Sequence, residues 1–247
     1  MEFEKLISPM KTDEFVEKHK NNETFLIKGE NNKFSKLITL EEIEKTLNNG
    51  CNISTPVEII IDGGRKYFVQ KDIQWTQFAV HKSSIKKMLE EKHSFLMRNQ
   101  TQINKQVSNL IDTIEKTFEN STADMHLYIS PITSSTGYDA HRDRPQHKIY
   151  MQVIGKTNWV IFDYKENLPD KTGAIKENEE DIYLKKRMEF MLEPGDLLYM
   201  PPDTFHKVRN EDGPRVSFSI PFVIHKENIQ RKDRTHLPFK EIFESFN

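Results

Sequence analysis

The sequence is poor in cysteine, in long apolar runs and in excess charge of either sign. Cys51 is the single cysteine among 247 residues, which excludes an internal disulfide and favours a reducing, cytoplasmic compartment. There is no run of about 18 apolar residues, and the start Met1–Lys5 lacks the apolar core of a signal peptide. The 36 basic and 38 acidic residues give a net charge of -2. We therefore expect neither membrane insertion nor a nucleic-acid partner.

The first half of the chain mixes helical and strand-like patterns. Apolar residues at helical spacing predict a helix over Thr12–Lys20 and a mainly helical segment over about Ser84–Phe118. Val57–Ile61 and Lys66–Val69 flank Asp62–Gly64, a combination that predicts a β-hairpin.

From Ala123 onward short strand patterns dominate and are broken by glycine and proline turns. Two of them are predicted to pair around Gly155, and the charged stretch Lys165–Asp181 is predicted to be an exposed loop. Many short strands at such spacing are typical of a β-sandwich or barrel. The predicted strands are Met125–Ser130, Lys148–Ile154, Trp159–Phe162, Glu189–Leu192, Asp196–Met200, Thr204–Val208 and Arg215–Phe222.

These patterns divide the chain without suggesting separate folding units. Residues 1–122 are predicted to form an α/β region that packs on a β-barrel, and residues 123–225 are predicted to form the barrel itself. Residues 226–247 are predicted to form a tail with a short amphipathic helix over Thr235–Phe246. No linker rich in Pro, Gly or Ser separates the parts, so we expect one structural domain.

Three residues combine into a candidate metal site. His141 and Asp143 are two positions apart, so on a strand their side chains share one face. A second histidine from a distant strand, His206, would complete a 2-His-1-carboxylate set. Such a set holds one face of a divalent iron and leaves the other positions open. The residues therefore predict a mononuclear iron oxygenase.

The residues around His206 repeat the spacing of the second cupin motif. Gly195 is followed after five residues by Pro201, after four more by His206 and after three more by Asn210. Asp203 replaces a glycine that is common in this motif. The glycine turn and the proline end a strand, and the chain then returns with His206 facing the barrel interior.

The chain resembles the JmjC/cupin branch of the iron(II)- and 2-oxoglutarate-dependent oxygenases, most strongly over Tyr128–Phe222. The resemblance implies a double-stranded β-helix (cupin or jelly-roll) core, mainly β with helical additions. It implies that His141, Asp143 and His206 bind the iron and act as the catalytic centre. It further implies a 2-oxoglutarate-dependent dioxygenase that hydroxylates carbon and converts O2 and 2-oxoglutarate into succinate and CO2.

The sequence offers more than one candidate residue to bind the distal carboxylate of 2-oxoglutarate. In the branch resembled, a basic residue follows a glycine by two positions. Alignment on Gly155 and Trp159 puts Thr157 at that position, whereas the usual offset of 15 from His141 selects Lys156. A one-residue shift reverses the face of a strand, and a β-bulge would reconcile the two counts.

A second candidate anchor is Arg215 with Ser217, nine and eleven positions after His206. This pair resembles the Arg-x-Ser pair of another branch, in which the guanidinium binds the carboxylate through two parallel hydrogen bonds. We favour Arg215 with Ser217 and keep Lys156 as the second choice. Tyr128 or Tyr138 is expected to add a hydroxyl.

Two other functions remain open. One is a metal-binding cupin that works without 2-oxoglutarate, as a dioxygenase or isomerase, and the other is a non-catalytic cupin that binds a ligand. The substrate is open between a protein or peptide side chain and a small molecule, as are demethylation and homodimerisation. His126, His147 and His225 are expected to be hydrogen-bonded or surface histidines rather than ligands.

Overall fold

The computed structural model describes residues 1–48, 57–61, 64–67, 86–87, 89–131, 137–165, 173–229 and 239–245. The helices are α1 (Phe3–Ile7), α2 (Thr12–Lys20), α3 (Leu40–Asn48), α4 (Lys105–Thr117), α5 (Glu180–Tyr183) and α6 (Phe239–Glu244). The strands are β1 (Phe25–Ile27), β2 (Val57–Ile61), β3 (Gly64–Tyr67), β4 (Ser94–Met97), β5 (Ser121–Ala123), β6 (His126–Ser130), β7 (Ala140–His141), β8 (His147–Tyr164), β9 (Ala174–Ile175), β10 (Leu184–Leu192), β11 (Leu197–Met200) and β12 (Phe205–Ile224). None of the described helices is long and apolar enough to cross a membrane.

The predicted helix over Ser84–Phe118 is wrong in its middle. Ser94–Met97 is a strand that pairs with β2 on one side and β6 on the other. All four of its residues are buried, so its apolar run carries no alternation that would separate a strand from a helix. The helix α4 begins only at Lys105, where the Asn104 side chain accepts a hydrogen bond from the Val107 amide at 2.8 Å.

β8 and β12 are long strands that bend and belong to two facing layers. Lys148–Ile154 and Trp159–Phe162 do not pair with each other as predicted; they are the two halves of β8. Gly155 lies between them at φ +72°, and a Cβ there would lie 2.2 Å from the Pro214 carbonyl oxygen. Only glycine fits this bend. β12 changes layer near Gly213, also at positive φ, where its register with β8 shifts.

The bends produce two sheets that face each other. In the first layer the N-terminal half of β8 lies between β11 and the C-terminal half of β12, which also pairs with β6. In the second layer the C-terminal half of β8 lies between β10 and the N-terminal half of β12, which continues to β7 and β9. This is the double-stranded β-helix, and the predicted fold class is confirmed. Hydrogen bonds connect the two layers through one sheet path in the order β1-β11-β8-β12-β6-β4-β2-β3.

Side-chain alternation along β8 separates the outer core from the interior. Ile149 and Met151 pack outward with α1, α2 and α4 in the main hydrophobic core. Tyr150 points inward and contacts Trp159 of the opposite layer at a ring distance of 4.6 Å. The helical region therefore covers the outside of the first layer, and the interior is left for a site.

Two further predictions concern an exposed loop and the C-terminal helix. The stretch Lys165–Asp181, predicted as an exposed loop, contains β9, which pairs with β7, and the buried Ile175; residues 166–172 lie outside the described part. The C-terminal helix is present over Phe239–Glu244. The division of the chain near residues 122 and 225 stays a prediction.

Candidate active site

The structure brings His141, Asp143 and His206 together. His141 ends β7 and lies directly opposite His206 of β12 in the sheet, with ring centroids 4.3 Å apart. Asp143 follows two residues after His141, and its carboxylate lies 3.8 Å from Nε2 of His206. One potential ligand atom from each residue lies within 4.8 Å of the other two.

Hydrogen bonds fix which ring nitrogen each histidine presents. Nδ1 of His141 lies 2.9 Å from the Asp139 carbonyl oxygen, and Nδ1 of His206 lies 3.0 Å from the Thr204 carbonyl oxygen. A carbonyl oxygen can only accept, so each Nδ1 carries the proton and donates it. Nε2 of each ring is then the unprotonated nitrogen, the form in which imidazole binds a metal.

The charge states of the site suit a cation. Burial and the neighbouring His141 lower the pKa of His206 to about 3, so its ring is neutral near pH 7. Burial opposes ionisation of Asp143, but the ammonium of Lys148, 3.2 Å from its Oδ2, together with His206 and His141 outweighs burial and holds the pKa of Asp143 below its ordinary value. Two imidazoles and one carboxylate are the donors that a mononuclear iron(II) site requires.

A cavity that is partly open to solvent extends from the two imidazoles towards a buried arginine. Arg215 is only 8% exposed, and its guanidinium lies over the Tyr128 ring at 5.5 Å. Burial lowers the pKa of Arg215 to about 10, so it stays charged near pH 7. Among the described residues, no carboxylate is paired with its guanidinium, and the rings of Tyr128, Tyr138 and Tyr150 line the same cavity. The cavity is lined by Ile60, Ser94, Tyr128, Gly137, Tyr138, His141, Tyr150, Trp159, His206, Val208 and Arg215.

A hydrogen-bond chain behind Arg215 fixes its orientation. Nε of Arg215 donates to Ser217 Oγ at 2.9 Å, and Ser217 donates to Gln152 Oε1 at 2.8 Å. Thr157 donates to the same Gln152 oxygen at 3.2 Å and accepts from Nε1 of Trp159 at 2.9 Å. With Nε bonded to Ser217, the two terminal nitrogens of the guanidinium are the donors that remain for a ligand.

The six residues predicted for the cosubstrate occupy three different places. Arg215, Tyr128 and Tyr138 line the cavity. Ser217 and Thr157 are buried behind the cavity wall, where both donate hydrogen bonds to Gln152. The side chain of Lys156 is 50% exposed and pairs with Glu193 at 2.6 Å on the outer surface.

Sequence reasoning did not single out several residues of this site. Lys148, Tyr150 and Gln152 occupy alternate positions of β8 and are buried; Tyr150 lines the cavity, Lys148 contacts Asp143 and Gln152 contacts Ser217. The sequence shows that these three side chains share one face of a strand. It does not show that this face points into the barrel, because that depends on the bend at Gly155. Ser94 of β4 also lines the cavity, and its segment was predicted as helix.

The other described histidines do not line the cavity. His147 and His19 both contact the Tyr199 hydroxyl, at 2.8 and 2.6 Å. His225 contacts Thr122 at 2.8 Å, and His126 lies 3.8 Å from the carboxylate of Asp124.

A double-stranded β-helix with a 2-His-1-carboxylate arrangement inside it defines the class of protein. The model of one family, described as JmjC domain, matches residues 95–230, which is more than half of the chain. The chain belongs to the JmjC domain family.

Comparisons with curated proteins and solved structures agree with this assignment. Ribosomal oxygenase 2 of Mus musculus is 24% identical over 231 residues, 92% of this chain and 48% of the relative. Ribosomal oxygenase 2 of Bos taurus is 25% identical over 216 residues, 85% of this chain and 45% of the relative. The chain thus spans about half the length of the curated relatives it matches. The structure of YcfD, a ribosomal oxygenase from Escherichia coli, in complex with cobalt and 2-oxoglutarate has a TM-score of 0.59 at 14% identity, covering 96% of this chain and 66% of that one.

Proposed function

We propose that this chain is an iron(II)- and 2-oxoglutarate-dependent oxygenase that hydroxylates a carbon of a protein side chain. One observation carries the proposal. A single cavity has two metal-competent imidazoles at one end, beside Asp143, and at the other a buried guanidinium that has no carboxylate partner among the described residues.

The donor set at the first end fits iron(II). His141 and His206 present Nε2, and Asp143 is ionised, so these three residues would hold one face of the ion. The backbone carbonyls that accept from Nδ1 hold the two rings in position and fix their tautomers.

The second end fits the distal carboxylate of 2-oxoglutarate. A buried charge without a partner costs several kcal/mol or more, and a carboxylate bonded to the two terminal nitrogens of Arg215 would compensate that cost. Tyr128 and Tyr138 line the same cavity and can donate their hydroxyls. Lys156, which pairs with Glu193 on the surface, does not line it.

The protein's own contribution is binding, orientation and exclusion of water. When bound, iron(II) and 2-oxoglutarate supply oxidation of a substrate C–H bond by O2, with release of succinate and CO2. Tyr150, Trp159 and Val208 form the apolar wall between the two ends. Trp159 stacks on the His206 ring at 5.8 Å and shields it from solvent.

The names of the relatives support a protein substrate. The matched curated proteins and the solved structures are ribosomal oxygenases, and a side chain of a ribosomal protein is therefore the first substrate to test. A cytoplasmic location and a homodimer stay predictions.

The proposal is tested by anaerobic titration of the purified protein with iron(II) and 2-oxoglutarate. The expected result is the weak visible charge-transfer band of the metal chelate at one equivalent, followed by succinate formation when O2 and substrate are added. Metal binding without the band or succinate would favour a cupin that works without 2-oxoglutarate. Absence of stoichiometric metal binding by the folded protein would refute the oxygenase assignment.

A further inference from the structure

The turn before His206 contacts the backbone of Asp143 and the side chains of the two residues that flank it. The amide of Asp203 donates to the Asp143 carbonyl oxygen at 2.9 Å. The Asp203 carboxylate lies 3.1 Å from Nη1 of Arg142 and accepts from both Nε and Nη2 of Arg144, the latter at 2.7 Å. One residue therefore bonds to three consecutive residues centred on a candidate ligand.

The same turn also fixes His206. Thr204 follows Asp203, and its carbonyl oxygen accepts the Nδ1 proton of His206 at 3.0 Å. The turn is closed by the Thr204 hydroxyl, which donates to the Pro201 carbonyl oxygen at 2.9 Å. Asp143 and His206, distant in sequence, are thus set relative to each other by residues 201–206.

The backbone of Asp203 indicates that its side chain has a use beyond the turn. Its φ is +67°, in the left-handed region where glycine is the least strained residue and asparagine and aspartate are the next best. Glycine would fit this turn with less strain but would lack the carboxylate that holds Arg142 and Arg144.

An exposed ion pair stabilises a fold only weakly, so the exposure of the partners matters. The Arg144 side chain is 53% exposed, but that of Arg142 is only 7% exposed and its guanidinium lies 4.9 Å from the Phe205 ring centroid. The Asp203 carboxylate is therefore held by a buried arginine on one side of Asp143 and by two hydrogen bonds from Arg144 on the other. These contacts restrict the movement of the segment that carries Asp143.

From these contacts, and resting on the proposed metal site, we infer that Asp203 is a positioning residue that holds the Asp143 carboxylate in place for the metal. Groups that orient a metal ligand typically change metal affinity by about 10- to 100-fold when removed. The Asp203→Gly variant is expected to bind metal about tenfold more weakly. Asp203→Asn keeps one acceptor oxygen and the tolerated backbone conformation, so its loss is expected to be smaller.

The test is titration of the metal-free protein with cobalt(II), followed by the visible absorption of the bound ion. Glu189→Gln is the matched control, because Glu189 is also an exposed carboxylate that accepts from two side chains, Lys186 and Asn158, and it lies on β10, away from the cavity lining. The control is expected to bind cobalt(II) like the unmodified protein.

Thermal unfolding of the metal-free variants separates positioning from folding. A purely structural role would lower the melting temperature of Asp203→Gly and leave its cobalt(II) affinity unchanged, and this outcome overturns the inference. Failure of the proposed function has a different signature: the unmodified protein and His206→Ala would then bind cobalt(II) equally.

Discussion

The two ends of the cavity are built from different parts of the fold. The metal end takes His141 from the short strand β7 and His206 from the N-terminal half of β12, both in the second layer. The anchor end takes Arg215 from the bend of β12, beside β6 of the first layer. The metal end carries two imidazoles and a carboxylate, and the anchor end carries a guanidinium that has no carboxylate partner among the described residues. One cavity thus keeps the proposed metal site apart from the proposed carboxylate site, and we expect that each can be lost alone.

The largest expected effect is loss of the metal end. His206→Ala removes one of three candidate ligands, and we expect no stoichiometric cobalt(II) or iron(II) binding and no succinate formation. Metal titration with a measured stoichiometry checks this. His225→Ala is the control, because this histidine contacts Thr122 of β5 and does not line the cavity. Equal metal binding by both variants would contradict the assignment of the metal end.

Loss of the anchor end is expected to affect 2-oxoglutarate alone. Arg215→Met removes two charged hydrogen bonds that contribute about 1.5–3 kcal/mol each, so 2-oxoglutarate should bind at least about 100-fold more weakly while cobalt(II) affinity is unchanged. Isothermal titration of the metal-free protein with cobalt(II), and then of the cobalt(II) form with 2-oxoglutarate, measures the two affinities.

The matched control for the anchor is Lys156→Met. Lys156 pairs with Glu193 on the surface, so its replacement should leave 2-oxoglutarate affinity unaltered. If Lys156→Met weakens 2-oxoglutarate binding and Arg215→Met does not, the anchor has been assigned to the wrong residue.

The bend that connects the two layers is expected to affect stability. Gly155→Ala places a Cβ at φ +72° and 2.2 Å from the Pro214 carbonyl oxygen, and strain of this kind costs about 1–3 kcal/mol. Urea unfolding should show a loss of at least about 2 kcal/mol. Gly173→Ala, with no atom of the described residues within 4 Å of its added Cβ, should change stability by less than about 0.5 kcal/mol. Similar values for the two variants would show that the bend is not sterically restricted.

The last expected effect is a pH dependence of stability that arises at the metal end. In the unfolded chain His206 takes up a proton below its ordinary pKa of 6.5, whereas the folded chain keeps it neutral down to a pKa of about 3. Between these values the unfolded state binds more protons, so the metal-free protein loses stability as pH falls. Arg215, with a pKa of about 10, stays charged throughout this window.

Melting temperatures between about pH 7 and pH 4 measure this dependence. The decline should be shallower in His206→Gln than in the unmodified protein, because the variant lacks that titrating ring. His147, whose pKa burial lowers to about 4, contributes in both proteins and cancels in the difference. Equal slopes would contradict a buried neutral His206.

The metal end was more readable from the sequence than the anchor end, and the reason is physical. His141 and Asp143 are neighbours, and His206 follows a glycine–proline turn of fixed length, so local geometry links each residue type to its place. The anchor depends on which face of a bent strand is inward. Counting could not decide between Lys156 and Arg215, since a shift of one residue reverses the face.

The strands of the fold show the same difference between features set by local sequence and features set by long-range packing. The strands of the second half were predicted from alternation and turn residues, because those signals are local. The pairing of Lys148–Ile154 with Trp159–Phe162 was wrong, because a glycine bend within one strand and a glycine turn between two strands have the same sequence pattern. Ser94–Met97 was assigned to a helix, because a fully buried strand has no alternation.

By itself the sequence determined the kinds of donor, the spacing of the motif around His206 and the mainly β character of the second half, since these follow from residue identity and short-range geometry. Only the tertiary structure decided that the Nε2 atoms of two distant histidines face one cavity, that Arg215 is buried there and that Lys156 is outside. Those facts depend on how Gly155 and the bend near Gly213 direct two long strands into facing layers. A pattern of side chains fixes which residues share a face, but long-range packing fixes which face is the interior.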